Sequence, residues 1–361
     1  MRPEVSMARS SSMMQALELQ RPGELQCVEH PVPSPGGGEV LVRTVATTIC
    51  TSDLGDIREN PFGIALPRIL GHEAAGVVAE VGAGVTALAV GDRVAVHPVI
   101  PCGACIECGR GLGHLCARLG HLGVDRGGSF AEFFCIPATR VRRTPETLDM
   151  AEAALLEPVS VCLEAVQRSR VQAGESVLIA GDGPFGVMMA RLVRRIGAEA
   201  VMTGRHAYRM QRATGARTID VDQSADLLAD ILRLAGGQGV DAAILAVDSQ
   251  AALDLCLASL RPRGRLVVFA VMPDRPRIDM LRILVKELEL VGACNDQDLL
   301  DEALDLIVGD ELQLGQMVSH RIPFHNWPEA FRMAGDRPEC TLKVALVFPE
   351  AQAGAAGRRP D

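Results

Sequence analysis

The stretch Val177-Leu-Ile-Ala-Gly-Asp-Gly-Pro-Phe-Gly186 is an apolar run followed at once by three closely spaced glycines. Gly181, Gly183 and Gly186 have G-x-G-x-x-G spacing, and a helical pattern follows over Val187–Ile196. In this motif the first glycine makes a tight turn, the second lets the backbone approach a pyrophosphate, and the third packs helix on strand. Amides at the helix N-terminus then face the phosphates. The stretch predicts a strand, a dinucleotide-binding turn and a helix.

Strands and helices continue to alternate after this turn. Apolar, strand-like runs lie at Ala200–Thr203, Asp241–Val247 and Arg265–Ala270. Buried parallel strands have such continuous apolar runs, because helices cover both faces of the sheet. The pattern predicts a doubly wound parallel sheet over about residues 160–296.

The chain before this region has a different pattern. From Met14 to about Arg140, short alternating runs such as Glu39–Val45, Ala74–Val81 and Asp92–Val96 are separated by proline and glycine. They predict a compact, mostly antiparallel, barrel-like domain. Residues 151–170 have helical spacing and are expected to lead into the second domain.

The end of the chain is predicted to add one helix and one strand. Helical spacing covers Asp298–Val308, and Leu342–Phe348 alternates like a strand.

A cluster of four cysteines lies in the first domain. Cys102, Cys105, Cys108 and Cys116 have two, two and seven residues between them, in a glycine-rich run that can wrap around one point. Four thiolates complete a tetrahedral shell, which is typical of a structural zinc site. The alternative is a disulfide cluster, but bridges across two residues are strained and nothing indicates an oxidising compartment.

A second set of candidate ligands is Cys50 followed by His72 and Glu73. A thiolate, an imidazole and a carboxylate are the mixed ligands of a zinc ion that keeps one position open for substrate. The alternative is that the cysteine and the histidine only fill the core. This set predicts a catalytic metal site.

Composition excludes several classes of protein. The 361 residues suffice for two domains, and a net charge of -9 with interspersed acids and bases argues against a nucleic-acid partner. No apolar run approaches the roughly 18 residues that span a bilayer. Residues 1–13 and 350–361 are expected to be disordered, and eleven cysteines favour a reducing cytoplasm.

The chain contains five motifs that can be read together. They are Cys50-Thr-Ser-Asp53, Gly71-His-Glu-Ala-Ala-Gly76, the four-cysteine lobe, Glu157-Pro158 and the glycine turn. Together they resemble the medium-chain, zinc-dependent alcohol dehydrogenases, and most of all their sorbitol, threonine and aminocyclitol branch. They occur in the family's order and cover nearly the whole chain, from about Met14 to Phe348.

The resemblance implies an α/β protein made of a GroES-like, mostly β catalytic domain and a Rossmann domain. The catalytic domain is expected at residues 14–159, the cofactor domain at 160–296, and a return to the catalytic domain at 297–349. The active site then lies in the cleft between them. Homodimers or homotetramers are usual in the family, and the run Arg265–Ala270 is a candidate edge strand for assembly.

The resemblance also assigns roles at the catalytic zinc. Cys50 and His72 are expected ligands, and Glu73 is either a ligand or an exchangeable neighbour. Glu157 stands where the polyol branch has glutamate, so it is expected to bind zinc directly or through water. Asp53 is expected to accept the ring N–H of His72 and so orient it.

Ser52 is the expected relay for the substrate proton. Many relatives have histidine three residues later, where this chain has Gly55, so the proton must leave through water or Glu157. The alternatives are that Ser52 only closes a turn and that Glu157 caps a helix.

The choice of cofactor is predicted from the turn and the end of the second strand. Pro184 and Phe185 complete the glycine turn beside the cofactor. After Thr203, Gly204 stands where an NAD enzyme is expected to carry an acid for the ribose 2′-hydroxyl.

Arg205 follows directly and can bind a 2′-phosphate, with Arg209 as a helper. The alternative is a solvated surface arginine. We predict a preference for NADP(H), with NAD(H) possible.

The resulting interpretation is an enzyme with two zinc ions that transfers a hydride between NADP(H) and a secondary alcohol or ketone of a polyol, cyclitol or aminocyclitol. Two alternatives are a primary alcohol or aldehyde reductase and a non-catalytic NADPH-binding zinc protein.

Overall fold

The computed structural model describes residues 13–272 and 275–349. The first part of the chain contains β1 (Met13–Arg21), β2 (Glu24–Pro31), β3 (Glu39–Thr48), α1 (Thr51–Glu59), β4 (Arg68–Ile69), β5 (Glu73–Val81), β6 (Arg93–Val96), β7 (Val99–Ile100), α2 (Ile106–Gly109), β8 (Gly120–His121), β9 (Phe133–Pro137), β10 (Val141–Arg143), α3 (Met150–Ala153) and α4 (Leu156–Ser169). The middle part contains β11 (Ser176–Ala180), α5 (Pro184–Arg195), β12 (Glu199–Gly204), α6 (Ala207–Met210), β13 (Arg217–Asp220), α7 (Leu227–Leu234), β14 (Val240–Leu245), α8 (Gln250–Ser259), β15 (Leu260–Val268), α9 (Met280–Lys286) and β16 (Glu289–Gly292). The last part contains α10 (Leu300–Val308), β17 (Val318–Pro323), α11 (Trp327–Asp336) and β18 (Lys343–Val347). Short 3-10 helices lie at Gly113–Leu115, Ala138–Arg140, Leu314–Gln316 and Phe324–Asn326.

The middle part forms a six-stranded sheet in the order β13-β12-β11-β14-β15-β16, and every neighbouring pair is parallel. Interior strands are buried on both faces, as Leu178 and Ile179 of β11 show. The predicted doubly wound parallel sheet is confirmed. The prediction that Arg265–Ala270 is an edge strand is wrong, because β15 lies between β14 and β16. Its apolar side chains Leu266 and Val267 are buried inside the sheet.

A second large sheet has the order β10-β6-β5-β3-β18-β17, and β9 also pairs with β3. All of its pairs are antiparallel except β17 with β18. The predicted mostly β, mostly antiparallel domain is therefore confirmed. Because Ala345 of β18 lies opposite Thr48 of β3, the end of the chain lies beside the strand that leads to Cys50.

Helix α4 joins the two sheets. It contacts β5 and β6 on one side and β14 and β15 on the other. One hydrophobic cluster includes Ala46 and Ala75 of the antiparallel sheet, Val159 and Cys162 of α4, and Ile179 of the parallel sheet. Full burial of one such aliphatic side chain contributes roughly 1.5–3 kcal/mol. The two sheets thus share one continuous hydrophobic core.

The predicted helix over residues 151–170 is two helices, α3 and α4. Pro158 explains the break: it has no N–H to donate to the carbonyl of Ala154, and its ring would clash with that carbonyl in a continuous helix. With a new helix beginning at Leu156, Pro158 falls in the first turn, where N–H groups have no intrahelical partner.

Two further predictions concern the chain termini and membrane-spanning helices. The expected disordered segments lie outside the described residues, except Met13, which begins β1. Within the described ranges, no helix combines the length and apolar character needed to cross a bilayer.

We predict that Gly128→Ala lowers the free energy of unfolding by about 1–3 kcal/mol, as overpacking does. A Cβ at this position would lie 2.5 Å from the carbonyl carbon of Leu70, just before the candidate ligand His72. Denaturant unfolding measures the loss. Gly127→Ala is the matched control, since a Cβ there meets nothing within 4 Å. Equal stability of the two variants would contradict this packing.

Candidate active site

The four predicted cysteine ligands come together. The Sγ atoms of Cys102, Cys105, Cys108 and Cys116 all lie within 4.8 Å of one another. The backbone amides of Cys102 and Arg118 each donate to Cys116 Sγ over 3.3 Å. Hydrogen bonds from the backbone of Ala104 and from the Arg118 side chain lower the pKa of the Cys102 thiol to about 6. Burial and the neighbouring Cys105 raise the pKa of the Cys108 thiol to about 11, so the lobe does not lower the pKa of all four thiols. The four-sulfur donor set fits a closed tetrahedral zinc site.

The second candidate ligand set also comes together. Single ligand atoms of Cys50, His72 and Glu73 lie within 4.8 Å of one another, and all three residues are buried. Cys50 lies between β3 and α1, whereas His72 immediately precedes β5 and Glu73 begins it. The antiparallel pairing of β3 with β5 places Thr48 opposite Glu73 and so brings these segments together.

Asp53 holds two members of this set in place. Its Oδ2 accepts a hydrogen bond from the Cys50 amide over 2.9 Å, and its Oδ1 lies 3.2 Å from His72 Nδ1. Burial opposes a charge on His72, but Asp53 and Cys50 outweigh it and raise the pKa of the ring well above its ordinary value. The surroundings of the ring are thus negative, and the same field favours a bound cation.

The carboxylate of Glu73 is already paired with a cation of the protein. Lys343, only 2% exposed, donates to both of its oxygens, and the Thr48 hydroxyl donates to Oε2. A carboxylate neutralised in this way is a weak competitor for a metal. The geometry therefore favours the neighbour role for Glu73 over the ligand role.

Glu157 lies in the first turn of α4 and is buried, but it is outside the set of atoms within 4.8 Å. Among the described residues, its Oε2 is buried without a hydrogen-bond partner. Burial, opposed by His72 and reinforced by Glu73, raises the pKa of Glu157 to about 7. An unpartnered buried carboxylate oxygen beside His72 fits a site that takes a cation or a bound water.

Ser52 and Gly55 both lie in α1. Ser52 is in the first turn, beside Cys50. A Cβ added at Gly55 would meet nothing within 4 Å, so the position where relatives have histidine faces open space. This space is consistent with a proton path through water.

Three further residues of the site were missed from the sequence. Lys343 and Thr48 bind Glu73, and the His121 ring lies 5.5 Å from that of His72, centroid to centroid. Burial and the neighbouring His72 lower the pKa of His121 to about 4. A lysine inside the apolar run Leu342–Phe348 was the one available signal.

The glycine turn has its predicted form. β11 ends at Ala180, Gly181 has a φ of +124°, and α5 begins at Pro184, followed by Phe185. A Cβ on Gly186 would lie 3.1 Å from the carbonyl carbon of Gly181. The turn thus requires glycine for its backbone and for close packing of helix on strand.

The end of β12 differs from the prediction in one respect. Thr203 is buried and Gly204 ends the strand, and the Arg205 side chain is 69% exposed. Arg209 is 4% exposed, and its Nε and Nη2 donate to the carbonyls of Thr341 and Arg337. The helper role predicted for Arg209 therefore does not fit, because these donors already serve the protein.

We predict that Lys343→Met lowers the free energy of unfolding by about 3–5 kcal/mol, because it leaves the Glu73 carboxylate buried and unpaired. Denaturant unfolding at pH 7 measures the loss. Lys343→Arg keeps the charge and serves as the control.

The double variant Lys343→Met, Glu73→Gln should recover at least half of that stability, since no uncompensated charge remains. Additive losses in the double variant would contradict a coupled ion pair.

Two family models match the chain. An alcohol dehydrogenase GroES-like domain matches residues 36–146, and a zinc-binding dehydrogenase matches residues 184–309. The 2-dehydro-3-deoxy-L-galactonate 5-dehydrogenase of Pseudoalteromonas atlantica is 31% identical over 319 residues, which are 86% of this chain and 92% of the relative.

Two solved structures share the fold. A zinc-binding dehydrogenase from Sinorhizobium meliloti bound to NADP is 29% identical, with a TM-score of 0.86 over 93% of this chain and 99% of that chain. An alcohol dehydrogenase from Escherichia coli complexed with NADH is 26% identical, with a TM-score of 0.86 over 93% and 100%. With the motifs and the fold, these similarities show that the chain belongs to the medium-chain, zinc-dependent alcohol dehydrogenases, which are oxidoreductases acting on CH–OH groups.

Proposed function

We propose that this chain oxidises a secondary alcohol of a polyol, cyclitol or aminocyclitol, or reduces the corresponding ketone, with a nicotinamide cofactor. The observation that carries the proposal is the buried pair Cys50 and His72, held together by Asp53 in a negative field with the unpartnered Glu157 nearby. Buried carboxylate oxygens normally have hydrogen-bond partners, so an unpartnered one beside this pair fits a site that binds a cation.

Cys50 and His72 would hold the catalytic zinc, and the four cysteines of the lobe would hold a structural zinc. A bound zinc ion supplies Lewis acidity that lowers the pKa of an attached hydroxyl, and the nicotinamide exchanges the hydride. Asp53 keeps His72 in one orientation. Glu157 would stand beside the metal and bind it directly or through water.

Glu73 and Lys343 would change the charge at the site without binding the metal. Their buried ion pair cancels one carboxylate charge next to Cys50, so the remaining negative charge around the metal would come from Cys50, Asp53 and Glu157. Ser52 would take the proton of the substrate hydroxyl. With Gly55 in place of a histidine, that proton would leave through water in the open space beside α1.

A secondary alcohol is favoured by the glutamate at position 157, which resembles the polyol branch. The name of the Pseudoalteromonas relative places its reaction at carbon 5 of a sugar acid, an internal carbon whose hydroxyl is secondary. Both observations support a polyhydroxylated substrate for this chain.

The chain is proposed to work as a homodimer or homotetramer in the cytoplasm. Strand β16 is an edge of the parallel sheet, and Leu281, Leu284 and Val285 of the preceding helix are about 70% exposed. A second copy would cover this apolar surface. The five cysteines proposed as metal ligands favour a reducing compartment.

The preference for NADP(H) predicted from Gly204 and Arg205 depends on the charges beside Gly204. One of the two similar structures binds NADP and the other binds NADH. The Asp182 carboxylate lies beside Gly204 and opposes a preference for NADP(H).

We predict that Cys50→Ser loses one zinc per chain together with its activity, because a hydroxyl is a poor substitute for a thiolate ligand. Elemental analysis of the purified protein measures the metal. Cys340→Ser changes an exposed cysteine outside both ligand sets and should keep both ions. Full zinc retention in Cys50→Ser would refute the ligand assignment.

The substrate class is tested by following NADH and NADPH oxidation with ketoses, cyclic polyhydroxy ketones, their amino derivatives and simple aldehydes. The value of kcat/KM for the best polyhydroxy ketone should exceed that for any aldehyde by about tenfold or more. A simple aldehyde lacks the hydroxyl groups, so the polar groups of the site that would bind them are left without hydrogen-bond partners. Higher efficiency with aldehydes would instead identify a primary alcohol or aldehyde reductase. Cofactor binding without turnover of any compound would identify a non-catalytic protein.

A further inference from the structure

Asp182, an acidic residue in the glycine turn, lies beside Gly204 at the end of β12, where an NAD enzyme is expected to carry its acid. β11 and β12 are parallel neighbours with Ala180 opposite Thr203, so the residues after both strands emerge at the same edge of the sheet. Asp182 follows β11, inside the glycine turn, and Gly204 ends β12. The two positions therefore face each other.

The Asp182 carboxylate occupies the space that Gly204 leaves free. A Cβ on Gly204 would lie 2.6 Å from Asp182 Oδ2 and 2.7 Å from its Cγ. A carboxylate on residue 204 and the present position of Asp182 are therefore mutually exclusive. The position of the Asp182 side chain is therefore a sufficient reason for glycine at position 204.

This carboxylate also uses the donors that a phosphate would need. Asp182 Oδ2 accepts from the amides of Arg205 and His206 over 2.8 and 2.7 Å, and it lies 3.0 Å from His206 Nδ1. The side chain is only 11% exposed, which strengthens its field. A 2′-phosphate placed here would be repelled by the Asp182 carboxylate. The two amides would be unable to bind it, because they already donate to Asp182.

The nearby arginines do not reverse this balance. Arg205 extends into solvent, with its Nε 3.6 Å from Asp222. Arg209 Nη1 is 4.0 Å from Asp182 Oδ1, but the guanidinium is buried against backbone carbonyls. A ribose 2′-hydroxyl, in contrast, can donate a hydrogen bond to the carboxylate.

We infer that Asp182, in the glycine turn, replaces the missing acid of the second strand and makes this enzyme prefer NAD(H) over NADP(H). The inference rests on the nicotinamide cofactor of the proposed function and is opposite to the preference predicted from the sequence. The specificity residue is supplied by the first strand's turn, beside a glycine that on its own indicates the opposite cofactor.

The test is an equilibrium titration of the purified chain with NADH and with NADPH, followed by nucleotide fluorescence. It needs no substrate, so its result is independent of the substrate panel. The wild-type chain should bind NADH about tenfold more tightly than NADPH, because like charges brought together weaken binding by at least that factor. Asp182→Asn should reduce this ratio about tenfold.

Asp222→Asn is the matched control, since it removes one carboxylate near Arg205 without touching Gly204. It should leave the ratio within about twofold, as an exposed charge does. If the Asp182→Asn variant does not fold, Asp182→Ser is measured in its place. The ratio of the two affinities in the wild-type chain tests the inference without any variant. Tighter wild-type binding of NADPH, or an equal shift in Asp182→Asn and Asp222→Asn, would overturn the inference.

Discussion

The candidate site depends on one carboxylate, that of Asp53. One of its oxygens binds the amide of Cys50 and the other faces the ring nitrogen of His72, so a single buried side chain positions both proposed ligands. Because α1 begins directly after Cys50, the helix places Asp53 one turn away from the thiol. The negative charge that orients the imidazole also makes the space between the ligands favourable for a cation. Asp53 thus determines both the positions of the two proposed ligands and the negative charge between them.

A second buried interaction connects this site to the end of the chain. Lys343 begins β18 and binds Glu73 at the start of β5, with β3 between the two strands. Neither charge is accessible to water, so each requires the other to remain ionised. The last strand therefore contributes a side chain to the site as well as pairing in the sheet, and the Lys343–Glu73 pair joins residues 270 positions apart.

Local features of the sequence predicted most of the fold. The glycine turn, the four-cysteine lobe and the alternating strands depend on neighbours within a few residues, and spacing alone carries that information. The break before α4 was missed, although Pro158 is a local signal against a continuous helix. The edge of the parallel sheet has no local signal, because the order of strands is decided by pairing between distant segments.

The candidate site was predicted less completely for the same reason. Cys50 and His72 were found because family motifs surround them. Lys343 has only its place in an apolar run as a signal, and His121 has no local pattern. The end of β12 is the clearest case. Gly204 and Arg205 indicate one cofactor when read alone, and the Asp182 carboxylate packed against them indicates the other. Under the inferred role of Asp182, two segments that are neighbours only in the sheet would determine the cofactor preference together.

The central claim is that an open metal site lies between Cys50 and His72. Anomalous diffraction at the zinc edge, from crystals of the purified chain, tests it most directly. The account predicts two peaks per chain, one within the four-cysteine lobe and one bounded by the Cys50 sulfur and a ring nitrogen of His72. A single peak in the lobe, with no anomalous density between Cys50 and His72, would contradict it.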